Sequence, residues 1–339
     1  DESPKPRKED ERDVWGSKIE FILSCLSFAV GLGNIWRFPY LCYRNGGGWL
    51  IESAFLIPYV CMLAITGLPL YFFELCLGQY GREGPITIWK VVPLFQGLGY
   101  GMFMIAFFIA LYYNAVYFTA LFPYAVLVIL FVRAVTLPGY VNGITFYLTP
   151  EWGKLANAKV WGDAAMQIFF SLGPCWGGLI TLGSYNKFNN NCLRDAIIVS
   201  CANCLTSFFA GFVIFGIVGF MAHELGVSVK DVAAQGAGLA FIAYPEAVAR
   251  LPISPFWAIL FFVMLLTLGV GSQFTIVQTV ITSIIDVFNL RHRSKEVTAA
   301  VCTVSCLIGL TMCTRHGMYI LQLLDNYAGT YSALMIGCI

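Results

Sequence analysis

The 339 residues are 58% hydrophobic and 12% charged, about half the charged share of soluble globular domains, which leaves too little polar surface to hold a folded globule in water. The net charge of +1 points to neither nucleic acid nor an acidic partner. The three histidines, His223, His292 and His316, stand in no metal-ligand or triad arrangement, which argues against an enzyme.

Residues 1–18 are rich in charge and form an N-terminal tail. They run directly into a long apolar span, a pattern that does not describe a cleavable signal peptide. From there to residue 339, apolar runs near or above the ~18–20 residues that cross a bilayer follow one another. They lie at about 19–43, 54–78, 102–134, 161–183, 196–222, 255–288, 297–314 and 318–339. Runs of that length predict an all-α polytopic membrane protein, since a barrel is written in shorter alternating strands. The run at 102–134 has 33 residues, roughly 50 Å as a helix at ~1.5 Å per residue, so one tilted or kinked crossing is expected, bent at Pro123. Cys201 and Cys204 form a CxxC on an apolar run and are expected to be structural rather than redox-active or zinc-binding.

Basic residues in the connecting segments give the orientation. Lys5, Arg7, Lys8 and Arg12, then Arg82 and Lys90, then Lys187 and Arg194, then Arg291, Arg293 and Lys295 fall on one side if the chain crosses at each run. The alternate segments, 135–160 and 223–254, carry few bases and include Glu151, Glu224, Asp231 and Glu246. The N-terminus is therefore expected in the cytoplasm.

Two runs hold helix breakers near their middle. The first reads Ser27-Phe-Ala-Val-Gly31-Leu-Gly33-Asn34-Ile-Trp-Arg37-Phe-Pro39-Tyr40, the second Gln167-Ile-Phe-Phe-Ser171-Leu-Gly173-Pro174-Cys175-Trp176-Gly177-Gly178. Non-helical backbone at membrane depth survives only where it lines a cavity or is buried in protein, so its freed carbonyls and amides become candidate ligand groups. Glycines in membrane helices also serve close packing. The polar Asn34 and Ser171 beside the breaks, with Arg37 a turn further on, favour a site. An intramembrane charge is costly, so Arg37 needs a partner or a wet vestibule, and Asp325 is the candidate.

Ala29-Val-Gly-Leu-Gly-Asn-Ile-Trp-Arg-Phe-Pro39, Asn45-Gly-Gly-Gly48, Glu74-Leu-Cys-Leu-Gly-Gln-Tyr80 and Ser184-Tyr-Asn-Lys-Phe188 closely resemble the neurotransmitter:sodium symporter family. The likeness runs in family order from about Trp15 to the C-terminus. It implies an inverted-repeat sodium symporter fold and secondary active transport, with the sodium gradient driving uptake of a small amine or amino acid and chloride accompanying it. No organic cofactor is implied; sodium and chloride are co-transported.

The resemblance assigns the first sodium site to the Ala29 carbonyl, Asn34, Ser171 and Asn203. Neutral hard oxygens of this kind suit an alkali cation and leave room for a substrate carboxylate. It places chloride at Tyr59, Gln167, Ser171 and Ser207. The second sodium site falls on the Val30 and Leu268 carbonyls and Ser272, and here the chain departs from the family, because the usual Asp or Thr is Gly271. Substrate contacts fall on Ala29, Gly31, Gly33, Tyr113, Phe170, Ser171, Gly173 and Trp176. Tyr113 matches the tyrosine that meets the substrate carboxylate, and Phe170 matches an aromatic lid. Gly31 stands where monoamine carriers have an aspartate, which favours an amino acid, and Trp176 resembles the glycine transporters, its indole shrinking the side-chain pocket. A broad neutral or cationic amino-acid carrier is the alternative. Arg37 with Asp325, and Arg12 with Asp286, would gate the outer and inner vestibules, with Trp15 and Tyr185 near the inner pair.

The chain also differs from the family as a whole. After Tyr113-Asn114 the text passes to Phe118-Thr-Ala-Leu-Phe-Pro-Tyr124, which resembles the fifth family helix, so the third and fifth helices are joined near 113–118. The join explains the overlong run, and with it go the extracellular disulfide and glycosylation loop; no Asn-x-Ser/Thr sequon occurs. Trp49–Ser53 resembles an insertion, and the text ends within what resembles the tenth helix. About eight of twelve family spans are expected, in a transmembrane domain at 19–339. Such a chain is expected in the plasma membrane, transporting poorly or not at all by itself. It could act as a non-transporting isoform or fragment that associates with itself or with full-length family members.

Overall fold

The computed structural model describes residues 15–31, 33–44, 55–93, 96–112, 122–149, 155–229, 232, 253–310, 323, 324, 327 and 332–338. Helix α1 (Lys18–Ala29) starts where the Ser17 hydroxyl accepts the Glu20 N–H at 3.2 Å, a standard N-cap. It stops at Val30, whose φ of −87° and ψ of 89° leave the helical region. The chain resumes as a wide helical turn at Gly33–Arg37 and then as α2 (Phe38–Arg44), the two halves turning by 59°. Helix α3 (Leu56–Met62) passes through a second wide turn, Leu63–Gly67, into α4 (Leu68–Gly81). Pro69, just inside α4, has no N–H to give the preceding turn, which explains the widening there.

A short 3₁₀ turn at Thr87–Val91 leads to α5 (Gln96–Tyr112), followed by α6 (Phe122–Val135) and α7 (Tyr140–Leu148). The second broken span is α8 (Ala158–Leu172) and α9 (Gly178–Ser184), then come the two long rods α10 (Cys192–Leu225) and α11 (Ser254–Phe288). Helices α12 (Ser294–Gly309) and α13 (Ser332–Cys338) close the described chain. Each of the eight apolar runs thus contains described helix. The segments 56–81, 192–225 and 254–288 are each long and apolar enough to cross a bilayer. The chain is an all-α, multi-pass membrane protein.

Of the run at 102–134, α5 and α6 are described while 113–121 lie outside the described residues, and with them the expected single crossing bent at Pro123. The connecting segment 135–160 also holds α7, which the sequence reading left out. Gly139, at φ 80°, turns the chain through 113° into α7. There Gly143 lies so close to α10 that a Cβ would be 2.7 Å from Gly219 N, and Tyr147 stacks on Phe215 at 4.9 Å.

The bundle has two distinct ends. At one, Lys18 meets Asp195 at 3.1 Å, Gly84 N–H donates to Asp286 Oδ2 at 2.7 Å, and Trp15 N–H donates to Tyr185 O at 3.2 Å. The described basic residues Arg82, Lys90, Lys187, Arg194, Arg291, Arg293 and Lys295 belong to segments at this end. At the other end His223, near the finish of α10, abuts Gly139. Between them α4 and α9 pack almost backbone to backbone, where a Cβ at Gly78 would lie 2.8 Å from the Ile180 carbonyl carbon, the close approach that glycine permits.

Candidate functional site

The two helix breaks face each other in the middle of the bundle. The second break is held by left-handed backbone at Gly173 (φ 63°), Cys175 (φ 67°) and Gly177 (φ 78°); the two glycines adopt it freely, whereas Cys175 is strained there. Cys175 N–H donates to the buried carboxylate of Glu74 on α4, so a group from a neighbouring helix satisfies part of the unwound backbone.

Around the first break sits a fully buried polar cluster. Asn34 Nδ2 donates to Asn203 Oδ1 and Ser207 Oγ at 2.7 Å each, and lies 3.2 Å from Ser171 Oγ and 3.4 Å from Asn203 O. Asn34 Oδ1 accepts the Gly31 N–H at 3.1 Å. Asn203 Nδ2 donates to Ser171 Oγ at 2.8 Å, and Ser207 Oγ to Asn203 O at 3.2 Å. The Asn34 amide nitrogen therefore stands among four oxygens, two serine hydroxyls and the side-chain and main-chain carbonyls of Asn203, neutral hard groups of the kind that can also meet a small cation. Gln167 Nε2 donates to Gly33 O at 3.2 Å, while Gln167 Oε1 and the buried Tyr59 hydroxyl make no hydrogen bond among the described residues. The structure thus brings together Asn34, Tyr59, Gln167, Ser171, Asn203 and Ser207, all singled out in the sequence.

Beside this cluster the space between the breaks is walled by aromatics. Trp176 packs edge-on to Phe170 at 5.7 Å and to Phe28 at 6.3 Å, and the Arg37 guanidinium lies 4.3 Å from the Phe170 ring centre, a cation–π contact. A Cβ at Gly33 would meet the Phe170 ring at 2.7 Å, one at Gly31 the Ser272 hydroxyl at 2.8 Å, and one at Gly173 the Phe28 ring at 2.6 Å. These glycines are buried, and their lack of a side chain is what lets Phe170, Ser272 and Phe28 pack directly on the main chain.

Ser272 on α11 donates to the Phe28 carbonyl at 3.0 Å and lies 3.5 Å from the Ser27 carbonyl, near Val30 and Leu268, which are both buried. Neither Ser27 nor Phe28 was among the sequence-derived candidates. Phe28 could have been found from its place one turn before the break. A hydroxyl inside an apolar helix, like that of Ser27, carries no such signal.

At the Trp15 end side chains from several elements meet directly. Trp15 Nε1 donates to Leu182 O at 3.1 Å and its ring meets Tyr185 at 5.9 Å. Gln278 Nε2 donates to the Tyr185 hydroxyl at 2.9 Å, which is 3.1 Å from Thr282 Oγ1. Asp286 Oδ1 has Arg291 Nη2 at 3.7 Å. Arg12, Tyr113, Asp325 and the Trp49–Ser53 segment lie outside the described residues, so the expected Arg12–Asp286 and Arg37–Asp325 pairs and the Tyr113 contact do as well.

The profile of the sodium:neurotransmitter symporter family matches residues 12–117 and 114–339. The chain is 40% identical to the sodium- and chloride-dependent glycine transporter 1 of Xenopus laevis over 460 residues, covering 100% of this chain and 72% of the relative. Against glycine transporter 2 of the same organism the identity is 39%, with 96% of this chain and 58% of the relative covered. Against the human sodium- and chloride-dependent creatine transporter 1 it is 39%, covering 96% and 68%.

Proposed function

The chain belongs to the sodium:neurotransmitter symporter family, and from that premise we propose that it binds and carries a small amino acid, glycine first, coupled to sodium and dependent on chloride. The observation that carries this reading is the oxygen-rich cluster of Asn34, Ser171, Asn203 and Ser207 set against two broken helices. Sodium takes neutral oxygens from Ala29, Asn34, Ser171 and Asn203. A zwitterion places its carboxylate on the main chain of Gly31–Gly33, with Tyr113 as a further contact. Chloride is served by Tyr59, Gln167, Ser171 and Ser207, where hydroxyl and amide groups can turn hydrogens toward an anion. Trp176, Phe170 and Phe28 occupy the room that a long side chain would need, which favours glycine over creatine or a bulky cationic amino acid. Arg37 with Asp325 and Arg12 with Asp286 form the gates of alternating access. The basic residues gathered at the Trp15 end support a cytoplasmic N-terminus, and a plasma-membrane location goes with it.

The test is equilibrium binding of radiolabelled glycine to the purified chain. Saturable binding in sodium chloride, lost when potassium replaces sodium and weakened when gluconate replaces chloride, is expected. Equal binding in potassium would overturn the reading.

A second reading, a non-transporting isoform that associates with full-length family members, draws support from one feature. The family profile matches in two pieces that meet at 114–117, where the text passes from a third-helix to a fifth-helix pattern. The 460 residues aligned with glycine transporter 1 exceed the 339 of the chain, in keeping with an internal join. Co-expression with a full-length glycine transporter distinguishes the two: co-purification with altered uptake by the partner favours the second.

A further inference from the structure

Away from the polar centre, two cysteines from distant parts of the sequence come together. Cys76 lies in the last two turns of α4, and Cys192 opens α10. The Cys76 thiol is within hydrogen-bonding reach of the Cys192 thiol, and neither is in a disulfide. Both line an open cleft of about 340 Å³ with Gln79, Tyr80 and Phe188. The group beside them is held in place. Gln79 is buried, and its Nε2 donates to Phe188 O at 2.7 Å and to Asn190 O at 3.0 Å. Those two bonds fix the amide plane, so Gln79 Oε1 is turned to the Cys192 sulfur, whose S–H it accepts at 2.8 Å, with Asn190 Nδ2 at 3.4 Å from the same oxygen.

Paired thiols on a side of the membrane where disulfides do not persist point to metal binding rather than to a crosslink. A tetrahedral zinc site needs more nitrogen, sulfur or carboxylate ligands than this, and among the described residues no three His, Cys, Asp or Glu side chains converge on a metal position. Two sulfurs and an amide oxygen suit instead a soft ion content with few ligands. We propose that Cys76 and Cys192 form a site for a thiophilic monovalent ion of the copper(I) class, bridged between α4 and α10, with Gln79 Oε1 as a weak third contact. Each thiol gives its proton to solvent as its sulfur bonds the ion, and the ion keeps its oxidation state. The site is separate from the proposed sodium and glycine centre and does not depend on transport.

The experiment uses the whole chain in lipid nanodiscs with the exposed Cys201, Cys302, Cys306 and Cys338 changed to Ser, so that surface thiols do not mask the pair. Copper(I) is titrated without oxygen against a coloured copper(I) chelator. One tightly held equivalent per chain is expected, with two sulfur neighbours in the copper X-ray absorption spectrum. Cys76→Ser and Cys192→Ser should each weaken binding about a hundredfold or more, because a hard hydroxyl replaces one of two soft ligands, whereas Gln79→Ala should weaken it about tenfold or less. An equal concentration of zinc(II) should not displace the copper. Copper(I) should raise the melting temperature of this parent and leave that of the Cys76→Ser, Cys192→Ser double variant where it was, since an ion that bridges two helices stabilises only the folded arrangement; metal-free melting of the double variant at the parent's temperature shows that its fold is intact. Equal copper affinity in the double variant, displacement by zinc(II), or a single sulfur neighbour would overturn the proposal.

Discussion

Asn34 concentrates the chemistry of the centre in one side chain. Its amide group hydrogen-bonds Asn203 and Ser207 and touches Ser171, so Asn34→Asp replaces a donor by an acceptor among oxygens. Without sodium this variant should be less stable by about 2–3 kcal/mol, since buried acceptors lose their partner at about 1–3 kcal/mol. With sodium the added charge should recover much of the loss. Melting temperatures in sodium and in N-methylglucamine check this: the sodium-induced rise should be larger in Asn34→Asp than in the parent, and an equal or smaller rise would be inconsistent with a cation at that place. Asn34, Ser171, Asn203 and Ser207 were legible because each is a polar residue in an apolar run within a recognisable pattern. The packing of Ser27 against Gly271 was hidden, because a one-dimensional pattern does not record which helices face each other.

Among the elements, both broken spans could be read from Gly and Pro, because a regular helix cannot carry those residues in mid-membrane without a reason. Helix α7 could not. Its sequence, Tyr140-Val-Asn-Gly-Ile-Thr-Phe-Tyr-Leu148, mixes β-branched residues with a glycine, a weak helix former by itself. The fold supplies the missing stability by laying it across α10, with Gly143 against the Phe215 carbonyl and Tyr147 on Phe215. Gly143→Val must push the two helices apart. A loss of about 3 kcal/mol or more is expected, at or beyond the upper end of ordinary overpacking, read as a lower denaturation midpoint in mild detergent. Gly162, where a Cβ would meet nothing within 4 Å, is the control: Gly162→Ala should not lower the midpoint.

For the whole molecule, the arrangement of basic segments at one end was legible from charge alone, while the contacts of Trp15 with Leu182 and Tyr185 at that end were not. The proposed join near 113–118 bears on transport as a whole. The reconstituted chain is expected to bind sodium while taking up glycine at a small fraction of the rate of full-length glycine transporter, and insertion of the relative's intervening segment at the join should raise uptake. Vesicle uptake at a rate matching the full-length relative would contradict this. The contact between Lys18 and Asp195 has its own mechanical meaning. Asp195 is fully shielded from solvent and Lys18 is 45% exposed, so a swing of α1 away from α10 returns the ammonium to water and strands the carboxylate in a poorly polarisable interior, with Asn190 Nδ2 at 2.8 Å as company. Separation costs more than an exposed ion pair would suggest and is little screened on the Asp195 side. The pair thus resists separation of the N-terminal end of α1 from α10.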